Sequence, residues 1–392
     1  MQVNERRVAQ HFRNFSRALE GYSFNEPLSR YLTKFFKSNR QMGSSDRKMT
    51  SRFMYNYFRL GKTLSGYGVP ERLAFAEFLC EQESSFLQVH HTALHENIMM
   101  PLDEKVEYLT TRYGFVLKEV FPFPEQLSEG VDRQHFLLSH FVQPDLFIRV
   151  KRSQLEVVRQ FFDREGIPYE FVGGQALRLP NGFRLQDYPQ LKGMFEVQDL
   201  SSQHTIHYMD AQRGEMWWDA CAASGGKALM FLDKYPDVEL MVSDIRLSIL
   251  RNLNERFEVA RVPAPRKQKI LDLSSDISSL MRGESFDGII LDVPCSGSGT
   301  WGRTPEMIQQ FSKDKMLHFK TLQRSIVDNV VSYLKVGKPL VYMTCSAYRE
   351  ENEDMIKHLV DKHSFRLEKM EIIKGYTQRA DTMFAARLVR ER

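Results

Sequence analysis

The chain has 392 residues, a formal net charge of +4 and 42% hydrophobic residues, which suits a folded protein of two or three domains. No apolar run reaches the length of a membrane span, and the first residues lack the apolar segment of a secretory signal. The four cysteines form no CxxC pair, which argues against a zinc ribbon or a disulfide framework. We therefore expect a cytoplasmic protein with free thiols, no metal and no membrane contact.

Residues 1–140 have the pattern of a helical domain. Apolar residues recur at three- and four-residue spacing in residues 5–22, 27–38 and 47–64, as on one face of a helix. The segments PERLAFAEFLCEQ and PLDEKVEYLTTRYG each start with the Pro that helices favour in their first turn. We expect Ser44, Ser45 and Asp46 to cap the helix before Arg47.

The charge of this domain is uneven. Residues 1–72 contain 14 Lys or Arg against 5 Asp or Glu, whereas residues 73–140 contain 4 against 11. Aromatic residues are interleaved with the basic ones. This first part is therefore either an ordinary solvated helical surface or a face that binds RNA phosphates.

Residues 141–200 predict a small α/β subdomain. FVQPDLFIRV reads as a strand, SQLEVVRQFFDREG as a helix, and YEFVGGQALRLPN as a strand, a turn and a second strand. From residue 201 to residue 392 the chain alternates between strands and helices, which predicts a doubly wound, mostly parallel sheet. The predicted strands are EMWWDACAA, ELMVSDI, QKILDL, FDGIILDV, PLVYMTC, RLEKMEII and MFAARLV.

Ligands of such sheets bind beyond the carboxyl ends of the strands. The first strand runs into Asp219 and then a turn with Gly225 and Gly226, where the backbone can approach a ligand closely. The second strand ends at Asp244, an acid placed to accept hydrogen bonds from a ribose. Alone, this pattern is also that of an ordinary strand–helix turn.

Two cysteines follow neighbouring strands in a similar way. Cys295 lies in LDVPCSGSG and Cys345 in YMTCS, each just past the end of its strand. A lone cysteine is usually a small buried hydrophobe, which is how we interpret Cys80 and, from its position alone, Cys221. Two cysteines beside a nucleotide pocket are placed to act as nucleophiles.

These segments resemble one family. CAASGGK, DIRLSILRNLNERF, LDVPCSGSG with the following RTPE, and YMTCSAYREENE together resemble the RNA (cytosine-5)-methyltransferases of the bacterial 16S rRNA type. The likeness covers about residues 140–392. The front, including RQMGSSDRKM, is similar to the NusB-like domain of some members. The resemblance implies a Rossmann-like class I methyltransferase domain at 201–392, an RNA-recognition-like subdomain at 141–200 and an RNA-binding helical domain at 1–140.

The resemblance also implies the cofactor and the residue roles. S-adenosylmethionine would be held by the loop Cys221, Ala222, Ala223, Ser224, Gly225, Gly226 and Lys227. Asp244 would bind its ribose, Asp272 would lie near its adenine, and Asp292 would face both the donor and the cytosine. Cys345 would be the nucleophile, and Cys295 would help to release the product.

The chemistry needs such groups. Carbon 5 of cytosine becomes nucleophilic only after a thiolate adds to carbon 6, and its proton must leave before the thiolate can be eliminated. Asp292 would stabilise the developing charge at the N3/N4 edge, and Lys227 is a candidate for lowering the thiol pKa. The base must be unstacked to be reached.

One position departs from the family. Ser224 stands where members usually have Pro, so the donor loop lacks that fixed φ angle and we expect weaker donor binding. A second hypothesis is therefore an RNA-binding assembly factor without turnover, although both cysteines argue against it. A third is a tRNA methyltransferase. Lys227, Arg303 and the basic segment 260–269 are candidate RNA contacts, and we expect a monomer.

Overall fold

The computed structural model describes residues 4–392, which divide into two compact units. One contains the residues up to Glu125 together with 132–143 and 300–312. The other contains 126–131, 144–299 and 313–392. The α-helices, in chain order, are α1 (Glu5–Glu20), α2 (Leu28–Ser38), α3 (Ser44–Arg59), α4 (Val69–Cys80), α5 (Ser85–His90), α6 (Thr92–Glu96), α7 (Leu102–Tyr113), α8 (Arg133–Ser139), α9 (Leu155–Arg164), α10 (Leu200–His204), α11 (Gly226–Lys234), α12 (Leu247–Val259), α13 (Glu306–Gln310), α14 (Lys313–Val330) and α15 (Glu353–His363).

The helical unit confirms the helices that apolar spacing predicted. Its core contains the rings of Phe15, Phe53 and Phe86, each at most 1% exposed. Phe53 packs edge-on against both other rings, at centroid distances of 5.9 and 5.6 Å. Such edge-to-face pairs stabilise a core beyond their buried area. In the basic segment 1–72, Phe15, Tyr22, Phe53 and Phe58 are buried in this core, and most of the other aromatic residues are partly buried against it.

The predicted cap of α3 is wrong by a few residues. Gly43 is the N-cap, and Ser44, Ser45 and Asp46 form the first helical turn. The Asp46 carboxylate reaches back to accept a hydrogen bond from the Gly43 backbone N–H at 3.2 Å. A carboxylate at the third helical position thus satisfies a free backbone donor.

Residues 300–312 pack within the helical unit although they follow the PCSGSG motif. Trp301 is 1% exposed and its ring lies 5.0 Å from that of Phe121. The Arg59 guanidinium, itself 1% exposed, donates a hydrogen bond to the Gly302 carbonyl at 2.8 Å. The three predicted domains and the boundaries between them stay a prediction, as does the likeness of the front to NusB.

The second unit holds two sheets. The strands are β1 (Leu146–Val150), β2 (Glu170–Gly173), β3 (Ala176–Leu179), β4 (Phe195–Val197), β5 (Met216–Asp219), β6 (Glu239–Asp244), β7 (Lys267–Ile270), β8 (Gly288–Asp292), β9 (Pro339–Thr344), β10 (Phe365–Ile373) and β11 (Met383–Arg390). The small sheet has the antiparallel order β2-β3-β1-β4. The sequence predicted β1, α9, β2 and β3 but not β4, whose three residues are too few to show alternation.

The larger sheet confirms the α/β prediction and all seven of its strands. Its order is β10-β11-β9-β8-β5-β6-β7. The five strands from β9 to β7 are parallel, and β11 and β10 continue the sheet antiparallel. The chain moves outward from β5 to β6 and later returns to β8 on the other side of β5. This reversal next to β5 is where open α/β sheets bind ligands.

Within residues 4–392, none of the helices is both long and apolar enough to cross a membrane.

Candidate active site

The loop after β5 has the close-fitting turn that its sequence predicted. Gly225 has a φ of +84°, and a Cβ there would lie 2.8 Å from the Leu253 side chain. Both observations mean that any residue larger than glycine would be strained at this position. Ala223 also has a positive φ, of +46°. The loop therefore turns sharply into α11, which begins at Gly226.

Lys227 and Asp292 form an ion pair between this loop and the end of β8. The Lys227 Nζ lies 2.8 Å from an Asp292 carboxylate oxygen, and the two side chains are 11% and 28% exposed. Burial lowers the pKa of Lys227, but the attraction of Asp292 outweighs it, so that the net shift is upward. The Cys345 sulfur also favours the charged ammonium. A cation thus lies close to the predicted nucleophile, as expected for Lys227.

The two cysteines predicted to be catalytic meet. Cys295 follows β8 and Cys345 follows β9, and these strands are parallel neighbours. Their Sγ atoms lie 3.3 Å apart, and both thiols are free. The hydrogen bond with Cys345 and burial raise the pKa of Cys295. Cys295 is therefore suited to hold a proton.

Asp244 and Asp272 line a common cavity of about 290 Å³ beyond the ends of the parallel strands. Asp244 is 8% exposed, and Ser274 donates to Asp272 and lowers its pKa. The lining combines these two acids with apolar side chains: Ala220, Cys221, Asp244, Ile245, Arg246, Leu271, Asp272, Leu273, Ser274, Pro294, Leu322 and Ile326.

This lining fits an adenosine-containing donor. Apolar walls suit a flat base, and a carboxylate such as Asp244 can accept hydrogen bonds from ribose hydroxyls. In the structure Asp244 accepts hydrogen bonds from the Arg246 guanidinium at 3.0 and 3.3 Å. The Arg246 side chain is 57% exposed. Because the Arg246 guanidinium lies at the surface while Asp244 is buried, ribose hydroxyl groups can take its place on the Asp244 carboxylate.

Ser224 is held in place by a residue that the sequence did not single out. One nitrogen of the Arg256 guanidinium lies 2.8 Å from both the Ser224 carbonyl and the Ser224 hydroxyl. Another nitrogen lies 2.6 Å from the Glu196 carboxylate on β4. The donor loop is therefore fixed by hydrogen bonds at the position where the family usually has proline.

The candidate RNA contacts receive less support. Three of the four basic residues of segment 260–269 are paired: Arg266 with Glu239, and Lys267 and Lys269 with Glu284. Arg303 belongs to the helical unit, and its backbone N–H donates to Thr300. Arg59, in the basic segment 1–72, is buried. Their roles in RNA binding stay predictions.

Two buried acids were missed as site residues. Glu351 is fully buried and accepts hydrogen bonds from both cysteine loops. Glu351 belongs to Glu351-Asn352-Glu353, the end of the segment YMTCSAYREENE that carries the family resemblance. This segment was the sequence signal from which Glu351 could have been predicted as a site residue. Asp219 is also fully buried, and neither of its carboxyl oxygens has a hydrogen-bond partner among residues 4–392. Burial and the neighbouring Asp292 raise its pKa to about 8.

Comparison with known proteins supports the resemblance. Residues 206–390 match the family described as 16S rRNA methyltransferase RsmB/F. The ribosomal RNA small subunit methyltransferase B of Yersinia enterocolitica is 30% identical over 249 residues, which are 62% of this chain and 56% of that protein. The namesake of Vibrio cholerae is 33% identical over 180 residues, 45% of this chain and 41% of that protein. The chain thus spans about half the length of the curated relatives that it matches.

Solved structures share the fold. The crystal structure of PH0851 has a TM-score of 0.72 at 18% identity and covers 100% of both chains. That of a methyltransferase homolog protein from Pyrococcus horikoshii has a TM-score of 0.60 at 20% identity, covering 73% of this chain and 98% of that one. At such identities the structures show the fold alone. Residues 206–390, a little under half of this chain, thus resemble the RsmB/F family of 16S rRNA methyltransferases.

Proposed function

We propose that this protein transfers a methyl group from S-adenosylmethionine to carbon 5 of a cytosine in 16S rRNA, in the cytoplasm. The observation that supports this most strongly is the pair of free thiols with sulfur atoms 3.3 Å apart, next to the Lys227–Asp292 pair and at the same sheet edge as the cavity. The family of residues 206–390 favours rRNA as the substrate.

The donor would be held by the loop from Cys221 to Lys227, with Asp244 toward the ribose and Asp272 toward the adenine. When bound, it supplies an electrophilic methyl group. The apolar walls of the cavity exclude water around the base, and the Gly225–Gly226 turn lets the backbone approach it.

Cys345 would add as the thiolate to carbon 6 of the cytosine, forming a carbon–sulfur bond and making carbon 5 nucleophilic. The Lys227 ammonium interacts electrostatically with Cys345. Asp292 would hydrogen-bond to the N3/N4 edge and stabilise the ring as its charge changes.

Release needs a second group. To act as the base, Cys295 must first give its own thiol proton to solvent. After carbon 5 has taken the methyl group, the Cys295 thiolate accepts the remaining proton of carbon 5, and the electrons of that C–H bond re-form the 5,6 double bond. The Cys345 sulfur leaves carbon 6 with the electrons of the carbon–sulfur bond. A base is required at carbon 5 while Cys345 is still attached at carbon 6, so the two sulfur atoms must be close.

The test uses labelled S-adenosylmethionine and small-subunit rRNA that lacks 5-methylcytosine. Label in 5-methylcytidine that is lost in Cys345→Ala, with a persistent protein–RNA adduct in Cys295→Ala, supports the proposal. Cys80→Ala is the matched control, because Cys80 lies in α4 of the helical unit. If label appears in tRNA but not in rRNA, the protein is a tRNA methyltransferase and the proposed substrate is wrong. Donor binding without label in either RNA would overturn the reaction.

An assembly factor without turnover is less well supported. Ser224 was the feature that favoured it, and Arg256 fixes that residue in the loop. Because Arg256 holds the donor loop in place at this position, we propose an active enzyme.

A further inference from the structure

A buried carboxylate lies behind the two cysteine loops. Glu351 is 0% exposed and follows β9 by seven residues. One of its oxygens accepts hydrogen bonds from the Ser296 hydroxyl at 2.5 Å and the Ser346 hydroxyl at 2.6 Å. The other accepts from the Ser296 backbone N–H at 2.8 Å and the Gln323 amide at 3.0 Å.

These two serines are the residues that follow the cysteines. Ser296 comes after Cys295 and Ser346 after Cys345, and their hydroxyl oxygens are 3.2 Å apart. One carboxylate therefore holds both loops within one residue of each thiol. Because each peptide unit is planar and rigid, fixing these serines restricts the position of the neighbouring sulfur atoms.

The neighbouring Asn352 holds the second loop from the other side. It is 0% exposed, accepts a hydrogen bond from the Thr344 hydroxyl at 2.6 Å and donates to the Ser346 carbonyl at 2.9 Å. The loops are also joined by the Gly299 N–H, which donates to the Cys345 carbonyl at 2.9 Å. Glu351 differs from these links because it contacts the residue after each cysteine.

A fully buried carboxylate is costly unless every oxygen is hydrogen-bonded. Here four donors meet that need. Apolar residues would stabilise the same volume at least as well, so stability alone does not explain an acid at this position. Alignment of two loops that carry reacting groups does explain it.

We propose that Glu351 is a positioning residue that sets the distance between the Cys295 and Cys345 thiols and thereby enables product release. The part of this proposal that concerns product release rests on the proposed function, whereas the part that concerns the distance between the thiols does not. The cytosine atoms that the two sulfur groups must reach, carbons 5 and 6, are bonded to each other. A loop displaced by about 1 Å therefore costs the release step up to roughly a hundredfold in rate.

The first test measures thiol proximity without RNA or donor. Diamide takes two electrons and two protons from a pair of thiols, leaving a disulfide and a hydrazine. Peptide mapping under anaerobic conditions follows the Cys295–Cys345 disulfide. We expect Glu351→Ala to form it at least roughly tenfold more slowly than the wild type. Glu350→Ala is the matched control, because Glu350 pairs only loosely with Lys320, at 3.4 Å, and should keep the wild-type rate.

Glu351→Gln separates positioning from folding. Its oxygen can accept from the Ser296 N–H and Gln323, while its NH₂ group can donate to the two hydroxyls, which rotate to accept. We therefore expect Gln to restore most of the disulfide rate that Ala loses. If Glu351→Ala does not fold, Glu351→Gln and Ser346→Ala are compared instead, and we expect the slower disulfide formation in Ser346→Ala.

The second test uses rRNA. We expect Glu351→Ala to accumulate the covalent RNA adduct and to lose kcat while the KM for the donor changes less than twofold. Wild-type disulfide rates in both Glu351→Ala and Ser346→Ala would overturn the inference, and so would a loss of kcat without adduct. If the wild type methylates no RNA, the proposed function fails, whereas the diamide rates still decide whether Glu351 sets the thiol distance.

Discussion

Arg256 offers the sharpest test of how this chain builds a donor loop without the family proline. We consider Arg256→Met, which keeps much of the apolar stem and removes the guanidinium. The change deletes two hydrogen bonds to Ser224, both at 2.8 Å, and leaves the Glu196 carboxylate, 12% exposed, without its cation. Charged hydrogen bonds contribute about 1.5–3 kcal/mol each, but the 29% exposure of Arg256 reduces that. We therefore expect Arg256→Met to lower the free energy of unfolding by roughly 2–4 kcal/mol.

Donor affinity should fall as well. If the loop loses roughly 1.4 kcal/mol of its ordering, the Kd for S-adenosylmethionine rises about tenfold. Urea denaturation measures the stability, and calorimetric titration with the donor measures the Kd. Arg251→Met is the matched control, because Arg251 is an exposed residue of the same helix.

A double-mutant cycle separates the loop from the rest of the ion pair. In Ser224→Pro the fixed φ angle of proline orders the loop by itself, so Arg256→Met should then change the Kd by less than about twofold. Two results would refute the idea that Arg256 orders the donor loop at Ser224. One is a wild-type Kd for the donor in the single Arg256→Met variant, and the other is an equally large effect of Arg256→Met on the Kd in the Ser224→Pro background.

The sequence predicted the strands of the large sheet because buried parallel strands are short apolar runs between helical segments. It also predicted the meeting of Cys295 and Cys345, since each followed a strand and parallel strands end at one edge. What it could not supply was the order of the strands. The 3.3 Å between the sulfur atoms depends on β8 and β9 being neighbours in the sheet. We assumed this from their succession along the chain, and no local pattern encodes it.

The side-chain contacts that hold the donor loop could not be predicted from the sequence for a different reason. Glu196, Ser224 and Arg256 lie far apart along the chain, and nothing in their local sequence couples them. The cap of α3 was misplaced because three consecutive cap-forming residues give the same signal, and the choice depends on which backbone N–H the Asp46 carboxylate reaches. Long-range side-chain contacts and single hydrogen bonds at helix ends are both beyond periodicity arguments.

Three further predictions concern stability. Gly288→Ala should destabilise the sheet strongly, because a Cβ there would lie 2.3 Å from the Trp217 ring; thermal melting would detect this, and an unchanged Tm would contradict the packing of β8 on that ring. Asp328 accepts hydrogen bonds from Lys362, His363 and His358 at 2.6, 2.6 and 2.8 Å, which outweigh burial and lower its pKa. Its contribution is therefore complete above the unfolded pKa of about 3.9 and declines below it, so the Tm difference between wild type and Asp328→Asn should shrink as the pH falls below about 4. Asp219 should behave in the opposite way. Burial raises its pKa to about 8, so the folded protein keeps a proton that the unfolded chain releases near pH 3.9, and stability should fall as the pH rises from about 4 to 8. At about 1.4 kcal/mol per pKa unit the full shift corresponds to at most roughly 6 kcal/mol. Asp219→Asn removes the titration and keeps the shape, so urea midpoints from pH 5 to 9 should fall less steeply in the variant than in the wild type, with the exposed Asp103→Asn as control; parallel pH dependences would mean that Asp219 is ionised in the folded protein and has a partner in solution.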